Sequence, residues 1–293
     1  MSALLLFVVV ISWGFSWYAI ELQLGDVPPL VSVFYRFVLA AALLIALLAL
    51  SGRLRFIPWR RHGLLLALGF CLFSMNFFSF YLAAEFFPSG LLSVIFATAA
   101  IMGAFNQRLF FGKALSGRIL LGAVLGVIGL TLLSWDSIAE ADIAVPWLFV
   151  ALPFAGTYLF SLGNILSARL SRDYDLPNLV AHGMVYGALV CFVLCLAAGL
   201  PFPMPSGAFY WGSLLYLAGI ASVVAFLTYL SLVNREGPAR AAYATVLFPI
   251  VAMLVSTWLE GFVWTAAAAA GLLLALGGTV LVFSRPAERL RAS

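Results

Sequence analysis

Apolar runs of about 20 residues, the length that an α-helix needs to cross a bilayer, recur along this chain. Short breaks with turn-forming residues, such as Pro28-Pro29 and Ser51-Gly52, separate the runs, and none is long enough to hold a soluble domain. The runs therefore predict a polytopic membrane protein, and we number its transmembrane segments 1 to 10. They are residues 3–20, 30–50, 63–83, 90–111, 118–135, 146–167, 178–199, 209–233, 239–259 and 266–284.

The composition supports a lipid bilayer as the surroundings of this chain. Hydrophobic residues make up 65% of the sequence and charged residues only 9%, whereas soluble domains carry about 25% charged residues. The net charge is +4, but the basic residues are dispersed at segment ends, so nucleic acid is excluded as a partner. Cys71, Cys191 and Cys195 lie inside apolar runs, where helix packing is expected rather than a disulfide or metal site.

The charge distribution predicts the topology. If the N-terminus is cytoplasmic, 14 of the 15 Lys and Arg residues fall on the cytoplasmic side, and Arg36 inside segment 2 is the exception. The outer breaks contain no Lys or Arg and carry acids such as Glu21, Glu85 and Glu260. This positive-inside pattern predicts a multi-pass protein of the inner (plasma) membrane with both termini in the cytoplasm.

The two halves of the chain resemble one another. Residues 1–135 and 146–293 each contain five predicted segments, and an odd number inverts the second unit relative to the first. The loop charges change sign between equivalent breaks, as an inversion requires. We therefore predict an all-α fold of ten transmembrane helices built as two inverted five-helix repeats. The equivalent positions are Pro88 with Pro238, Gly122 with Gly271, and Gly129 with Gly278.

Short motifs in both halves carry a family resemblance. The motifs are Trp13-Gly14 with Ser16, Pro29 followed by Arg36-Phe37, Pro249-Ile250-Val251-Ala252, Leu259-Glu260, and Gly271 with Gly278. Their order and spacing resemble the drug/metabolite transporter superfamily, specifically its EamA-type ten-helix members. Where the family usually has a proline within helix 4, this chain has Ala99-Ala100. The resemblance implies export of metabolites, and the YddG-type aromatic amino acid exporters are the favoured likeness.

The distribution of polar and aromatic side chains predicts the binding site. These residues concentrate in segments 1, 3, 4, 6, 8 and 9, whereas segments 5 and 10 are glycine-striped and almost purely apolar. Inverted-repeat transporters bind their solute between the repeats near the bilayer midplane. An amino acid needs polar groups for its charged ends and an apolar wall for its side chain. The predicted substrate-binding residues are Trp13, Trp17, Asn76, Phe80, Tyr81, Tyr158, Asn164, Tyr229 and Tyr243.

Arg36 is the one basic residue expected inside the membrane. An arginine at the centre of a helix costs about 2.5–3.5 kcal/mol on insertion scales, so it requires an explanation. Arg36 could bind a substrate carboxylate or act in gating. Alternatively, its guanidinium could snorkel outward or pair with Glu21, Asp26 or Glu85.

Three further residues are predicted to act in gating or helix bending. His182 lies near the inner end of segment 7 and could carry a proton or bond to a neighbouring helix. Pro153 in segment 6 and Pro249 in segment 9 each remove a backbone donor, which can bend the helix or expose a carbonyl to solute.

The absence of certain motifs narrows the mechanism. The sequence has no phosphate-binding loop, no metal-ligand spacing and no carboxylate in the middle of a segment. We therefore expect no cofactor, no metal and no obligatory protein partner. The prediction is a secondary transporter that exports small metabolites, above all aromatic or other hydrophobic amino acids, by alternating access. The alternatives are a membrane-embedded enzyme or a non-transporting structural subunit and, within transporters, an exporter of drugs or other metabolites.

Overall fold

The structure is a computed structural model. Every regular element in its described ranges is helical, which confirms the predicted all-α class for that part of the chain. The described ranges are residues 2–25, 27–112, 114–139, 147–236 and 243–283. The α-helices are α1 (Ser2–Glu21), α2 (Pro29–Leu50), α3 (His62–Leu72), α4 (Met75–Ala83), α5 (Ser89–Ala97), α6 (Ala99–Phe111), α7 (Gly117–Ala139), α8 (Trp147–Leu170), α9 (Leu176–Ala197), α10 (Ala208–Leu215), α11 (Ala225–Glu236), α12 (Tyr243–Leu259) and α13 (Ala266–Phe283).

Eight helical stretches in the described ranges are long and apolar enough to cross a membrane, and they correspond to predicted segments 1 to 8. Segments 9 and 10 correspond to α12 and α13, which are shorter apolar helices of 17 and 18 residues. The structure therefore shows a helical chain with many candidate crossings. The count of ten crossing helices stays a prediction.

Two of the predicted segments consist of two helices rather than one. Segment 3 divides into α3 and α4 before Ser74, whose hydroxyl donates to the carbonyls of Gly69 (3.2 Å) and Phe70 (3.0 Å). Segment 4 divides into α5 and α6 at Thr98, whose hydroxyl donates to the carbonyl of Ile95 at 2.6 Å. These hydroxyls bond carbonyl groups where the helix is interrupted, which lets irregular backbone persist inside the bundle.

A π-helix interrupts segment 8. It spans Tyr216–Val224, between α10 and α11, and packs against α1 and α2. π-Helical turns are rare and frequently mark functional sites, because the wider turn redirects side chains and loosens the regular backbone bonding. Its position next to α1 and α2 places this irregular backbone in the interior of the bundle.

The helix pairs that join the first part of the chain to the second include α2 with α9, α5 with α12, and α7 with α13. In the predicted repeat these are segments 2 and 7, 4 and 9, and 5 and 10, so each pair joins equivalent segments. A two-fold axis between the halves would produce this pairing.

The contact between α7 and α13 is a seam of glycines. A Cβ atom at Gly122 would lie 2.6 Å from the Gly278 carbonyl oxygen, and one at Gly271 would lie 2.6 Å from the Gly129 carbonyl oxygen. When two backbones are this close, no side chain fits between them. Small residues at helix contacts in membranes permit this close approach. Most of the remaining surface of both helices is apolar and exposed, as at Leu273.

Candidate functional site

A small internal cavity of about 40 Å³ lies where seven helices meet. The helices α1, α2, α4 and α5 come from the first part of the chain, and α8, α11 and α12 come from the second. The lining combines aromatic rings with one guanidinium, one amide and one hydroxyl. Its residues are Trp13, Ser16, Trp17, Ile20, Arg36, Asn76, Phe77, Phe80, Phe96, Phe160, Phe226 and Phe248.

The cavity is contracted in this structure. A water molecule needs about 10–15 Å³ of such space, so 40 Å³ accommodates roughly three waters. Pockets that enclose small-molecule ligands are far larger, about 300–1,000 Å³. A ligand of that size therefore does not fit into the cavity as it stands.

One face of α1 forms part of the wall. Trp13, Ser16, Trp17 and Ile20 are three or four residues apart, a spacing that puts them on the same side of a helix. The Ser16 hydroxyl donates to the Trp13 carbonyl at 2.8 Å, so this hydroxyl is satisfied within its own helix. The α1 face thus presents two indole rings and little free polarity to the cavity.

Aromatic contacts hold the wall in place. The Trp13 indole N–H donates to the Ala221 carbonyl in the π-helix at 3.2 Å. The Trp13 ring meets Phe226 edge-to-face at 5.4 Å, and Trp17 meets Phe80 edge-to-face at 5.0 Å. Such pairs contribute about 0.5–1.5 kcal/mol each beyond the apolar area that they bury. The rings are therefore oriented by specific contacts.

Arg36 is buried in the bundle, with 2% of its side chain exposed. Its Nε donates to the Ser222 hydroxyl in the π-helix at 3.0 Å, and its guanidinium lies 4.2 Å from the centre of the Phe77 ring. The guanidinium does not snorkel outward, and it makes no ion pair with any described acid, including Glu21 and Glu85. Asp26, the third predicted partner, lies outside the described residues.

Asn76 is the second strongly polar group of the lining. It lies in the first turn of α4 and is fully buried. Neither Nδ2 nor Oδ1 has a hydrogen-bond partner among the described residues, and neither does Nη1 of Arg36. Buried polar groups are nearly always bonded, so an unbonded amide in a cavity wall requires an explanation.

The structure brings several predicted site residues together. Trp13, Trp17, Asn76, Phe80 and Arg36 line the cavity. Two more predicted tyrosines lie next to this group.

Those two tyrosines, Tyr81 and Tyr229, pack next to the cavity but do not line it. Tyr81 is fully buried and donates to the side-chain carbonyl of Gln23 at 2.7 Å. Tyr229 contacts the Trp13 ring, with 5.0 Å between centroids. Neither tyrosine is among the lining residues.

Three other predicted residues are not among the residues that line the cavity. Tyr158 is 39% exposed on the outer face of α8, and Asn164 is half-buried on the same helix. His182 donates from Nδ1 to the Asn178 carbonyl of its own helix at 2.7 Å, rather than to a neighbouring helix, and its ring contacts Phe56.

Both predicted helix-bending prolines are buried within helices. Pro153 lies in α8, and its carbonyl accepts a hydrogen bond from the Thr157 hydroxyl at 2.7 Å. Pro249 lies in α12, directly after the cavity residue Phe248. The side chain of Tyr243 lies outside the described residues.

Seven lining residues were not among the predicted site residues. Ser16 and Ile20 could have been found from their spacing to Trp13 and Trp17 on α1. The phenylalanines carried no signal, because the chain has 26 of them and most lie in apolar runs. The residues missed are Ser16, Ile20, Phe77, Phe96, Phe160, Phe226 and Phe248.

Polar contacts join the two parts of the chain at both ends of the bundle. At one end the Glu260 carboxylate accepts hydrogen bonds from the Ser89 backbone N–H (3.0 Å) and the Ser256 hydroxyl (2.6 Å). At the other end the Asn178 side chain donates to the Arg53 carbonyl at 2.9 Å. The first contact ties the end of α12 to the start of α5.

These features define a helical membrane protein with a polar and aromatic cavity at its centre. The sequence pattern of the EamA-like transporter family matches residues 1–135 and 146–284. The chain belongs to this family, within the drug/metabolite transporter superfamily, and is a transporter rather than an enzyme. The resemblance seen in the sequence is thereby confirmed.

Relatives of similar length align with most of the chain. A "Probable amino-acid metabolite efflux pump" of Escherichia coli (strain K12) is 26% identical over 262 residues, covering 86% of this chain and 84% of that protein. A protein of the same name from Salmonella typhimurium is 27% identical, covering 92% and 90%. The "Uncharacterized inner membrane transporter YedA" of Escherichia coli (strain K12) is 27% identical, covering 87% and 82%.

A solved crystal structure, described only as that of a protein, has the same fold. The TM-score is 0.68 at 19% identity, and the match covers 96% of this chain and 97% of that one. At this identity the likeness concerns the fold alone.

Proposed function

We propose that this protein exports amino acids or closely related metabolites across the inner membrane. The observation that carries the proposal is the central cavity, which both parts of the chain line with aromatic rings, a guanidinium, an amide and a hydroxyl. Its two relatives described as probable amino-acid metabolite efflux pumps align over most of their length and support this solute class. A relative described as an inner membrane transporter supports the location.

The chemistry of the lining suits a small, partly apolar solute. Trp17, Phe96 and Phe248 supply apolar area for a side chain, while Arg36 and Asn76 supply hydrogen-bonding atoms. Ligand sites of small molecules have this composition, with mostly apolar walls and a few well-placed polar groups. Hydrophobic and aromatic amino acids fit it better than sugars, which need many more polar partners.

We propose alternating access between two inverted five-helix repeats as the mechanism. The pairing of α2 with α9, α5 with α12 and α7 with α13 supports such a repeat. In repeat-built transporters, one unit rocks against the other around a fixed central site. The contracted cavity would then be a state between outward and inward opening.

The solute's own gradient is the simplest driving force. No carboxylate occurs among the residues that line the cavity. Proton-coupled transporters usually rely on a titrating carboxylate or histidine within the membrane. We therefore propose facilitated export rather than proton antiport.

Counterflow in liposomes tests the proposal. Liposomes with the purified protein are preloaded with unlabelled phenylalanine or leucine, and uptake of the labelled amino acid is compared with that of protein-free liposomes. We expect uptake that requires the protein and saturates with concentration. Absence of flux for every amino acid and related metabolite tried would overturn the proposal and favour a non-transporting subunit.

A further inference from the structure

The central cavity contains one full charge, and no described acid offsets it. Arg36 lines the cavity and forms no ion pair with a described residue. Its Nε is bonded to Ser222 and its guanidinium lies over the Phe77 ring, but Nη1 has no partner. A buried charge without a counter-charge is destabilising, and an anionic group brought in by a ligand would relieve that penalty.

A second unsatisfied group lines the same cavity. Asn76 is fully buried, and both its amide nitrogen and its amide oxygen lack partners among the described residues. The protein thus keeps one donor group and one acceptor unused at the place where a solute would bind. Together with Nη1 of Arg36, two donor nitrogens and one acceptor oxygen are available to a ligand.

We infer that Arg36 and Asn76 form an anchor for the carboxylate of the transported solute, and that binding requires this carboxylate. Guanidinium groups bind carboxylates through short, charge-assisted and often bidentate hydrogen bonds. The Asn76 amide nitrogen adds a donor. The inference rests on the proposed function and narrows its solute class to small monocarboxylates with an apolar or aromatic body.

The same lining disfavours other charged solutes. A phosphate ester carries close to two negative charges, and Arg36 is the one cation in the lining. A simple amine would place its charge near Arg36 without any acid to bind it. The ammonium group of an amino acid still has two partners, because the Asn76 amide oxygen and the faces of the aromatic rings can accept it.

Ligand-induced thermal stabilisation of the purified full-length protein in detergent tests the anchor, since a ligand stabilises the folded state according to its affinity. Four probes share a phenyl ring: L-phenylalanine, 3-phenylpropionate, L-phenylalaninamide and phenethylamine. The first two have a carboxylate and the last two do not. We expect the amide and the amine to need at least about tenfold higher concentration for equal stabilisation, because they lose a charge-assisted bond.

Variants separate an anchoring role from a structural one. Arg36→Gln should abolish the preference for acids, and Arg36→Lys should keep part of it because the charge remains. Ser222→Ala removes a hydrogen-bond partner of Arg36 but leaves the charge, so the preference for acids should survive. Asn76→Asp adds a carboxylate to the cavity and should shift the preference from 3-phenylpropionate to phenethylamine.

The outcomes decide the inference and the proposed function separately. The anchor is refuted if the wild type fails to distinguish the acids from the amide and the amine, or if a folded Arg36→Gln variant keeps the preference. If that variant does not fold, an unchanged preference in Asn76→Asp refutes the anchor. Phenylalanine counterflow without a preference for acids refutes only the anchor. Acid-selective binding without any flux supports the anchor and overturns the transport proposal.

Discussion

The indole N–H of Trp13 donates a hydrogen bond of 3.2 Å to the backbone carbonyl of Ala221, which lies in the π-helix. This bond links α1 to segment 8 across the boundary between the two parts of the chain. It also fixes the orientation of a ring that lines the central cavity. A regular helix keeps its carbonyls bonded internally, so an acceptor at this position fits the irregular backbone around it.

Replacing Trp13 with phenylalanine should keep the aromatic wall but lose this bond. We expect a loss of about 0.5–1.5 kcal/mol in stability, the net contribution of one buried hydrogen bond, together with slower amino acid counterflow. Trp211→Phe is the matched control. The Trp211 indole N–H also donates to a backbone carbonyl, that of Pro205 at 2.8 Å, but Trp211 does not line the cavity. Thermal unfolding and flux measure the two effects. Equal flux in the two variants would contradict a role for Trp13 in the pathway.

Asn76→Ala should change selectivity rather than folding. The amide has no protein partner to lose, so its removal should leave the unfolding temperature nearly unchanged. We expect the ratio of phenylalanine to phenethylamine counterflow to fall by about fivefold, equivalent to about 1 kcal/mol for one hydrogen bond, because only phenylalanine has a carboxylate for the Asn76 amide nitrogen. Tyr158→Ala, on the exposed face of α8, should leave the ratio as it is. The same ratio in wild type and both variants would remove Asn76 from the site.

Gly271→Leu should destabilise the protein strongly. Its side chain would collide with the Leu133 backbone nitrogen, 2.5 Å from the Cβ position, and with the Gly129 carbonyl. Overpacking of this kind costs about 1–3 kcal/mol or more. Gly277→Leu on the same helix is the control, because nothing lies within 4 Å of its Cβ position. Comparable unfolding temperatures for the two variants would show that the seam tolerates bulk.

Glu260→Ala should loosen one end of the bundle. The Ser89 N–H begins α5 and loses its carboxylate acceptor, a change that resembles loss of a helix cap and costs about 0.5–2 kcal/mol. Glu85→Ala removes an exposed acid near the same end and should have little effect. The unfolding temperature and the counterflow rate of each variant are compared with those of the wild type. A Glu260→Ala protein as stable as the Glu85→Ala protein would show that the contact contributes little.

Labelling of single introduced cysteines tests the predicted topology. Ser51→Cys should react only from the cytoplasmic side and Ser137→Cys only from the outer side of intact cells, because the breaks differ in charge. The native cysteines Cys71, Cys191 and Cys195 are buried, so background reaction should be low. Reaction of both introduced cysteines from outside would contradict the ten-helix arrangement.

The sequence was sufficient to locate most helices. Segments predicted at 30–50 and 178–199 appear as α2 (Pro29–Leu50) and α9 (Leu176–Ala197). Hydropathy works here because a spanning helix must bond its own backbone and cover it with apolar side chains. The same reasoning could not locate the interruptions at Ser74 and Thr98, since similar hydroxyl residues also occur within continuous membrane helices.

The site was harder to predict because lipid and protein interior are equally apolar. Thr157 is fully buried, whereas the adjacent Tyr158, a predicted site residue, is exposed. In a soluble helix, polar residues mark the outer face and fix the rotation of the helix about its axis. A membrane helix lacks that marker, so Trp13 and Trp17 were found by residue type while Phe248 and Phe160 were missed.

The glycine seam between α7 and α13 has a consequence for where lipid can go. At Gly122 and Gly278 the two backbones are in contact, and no acyl chain can insert between them. Lipid therefore contacts only the outer surface of this helix pair. A change in bilayer thickness or composition should act on the two helices as one rigid unit. We expect any sensitivity of transport to acyl chain length to arise elsewhere, at helix contacts that still have side chains to rearrange.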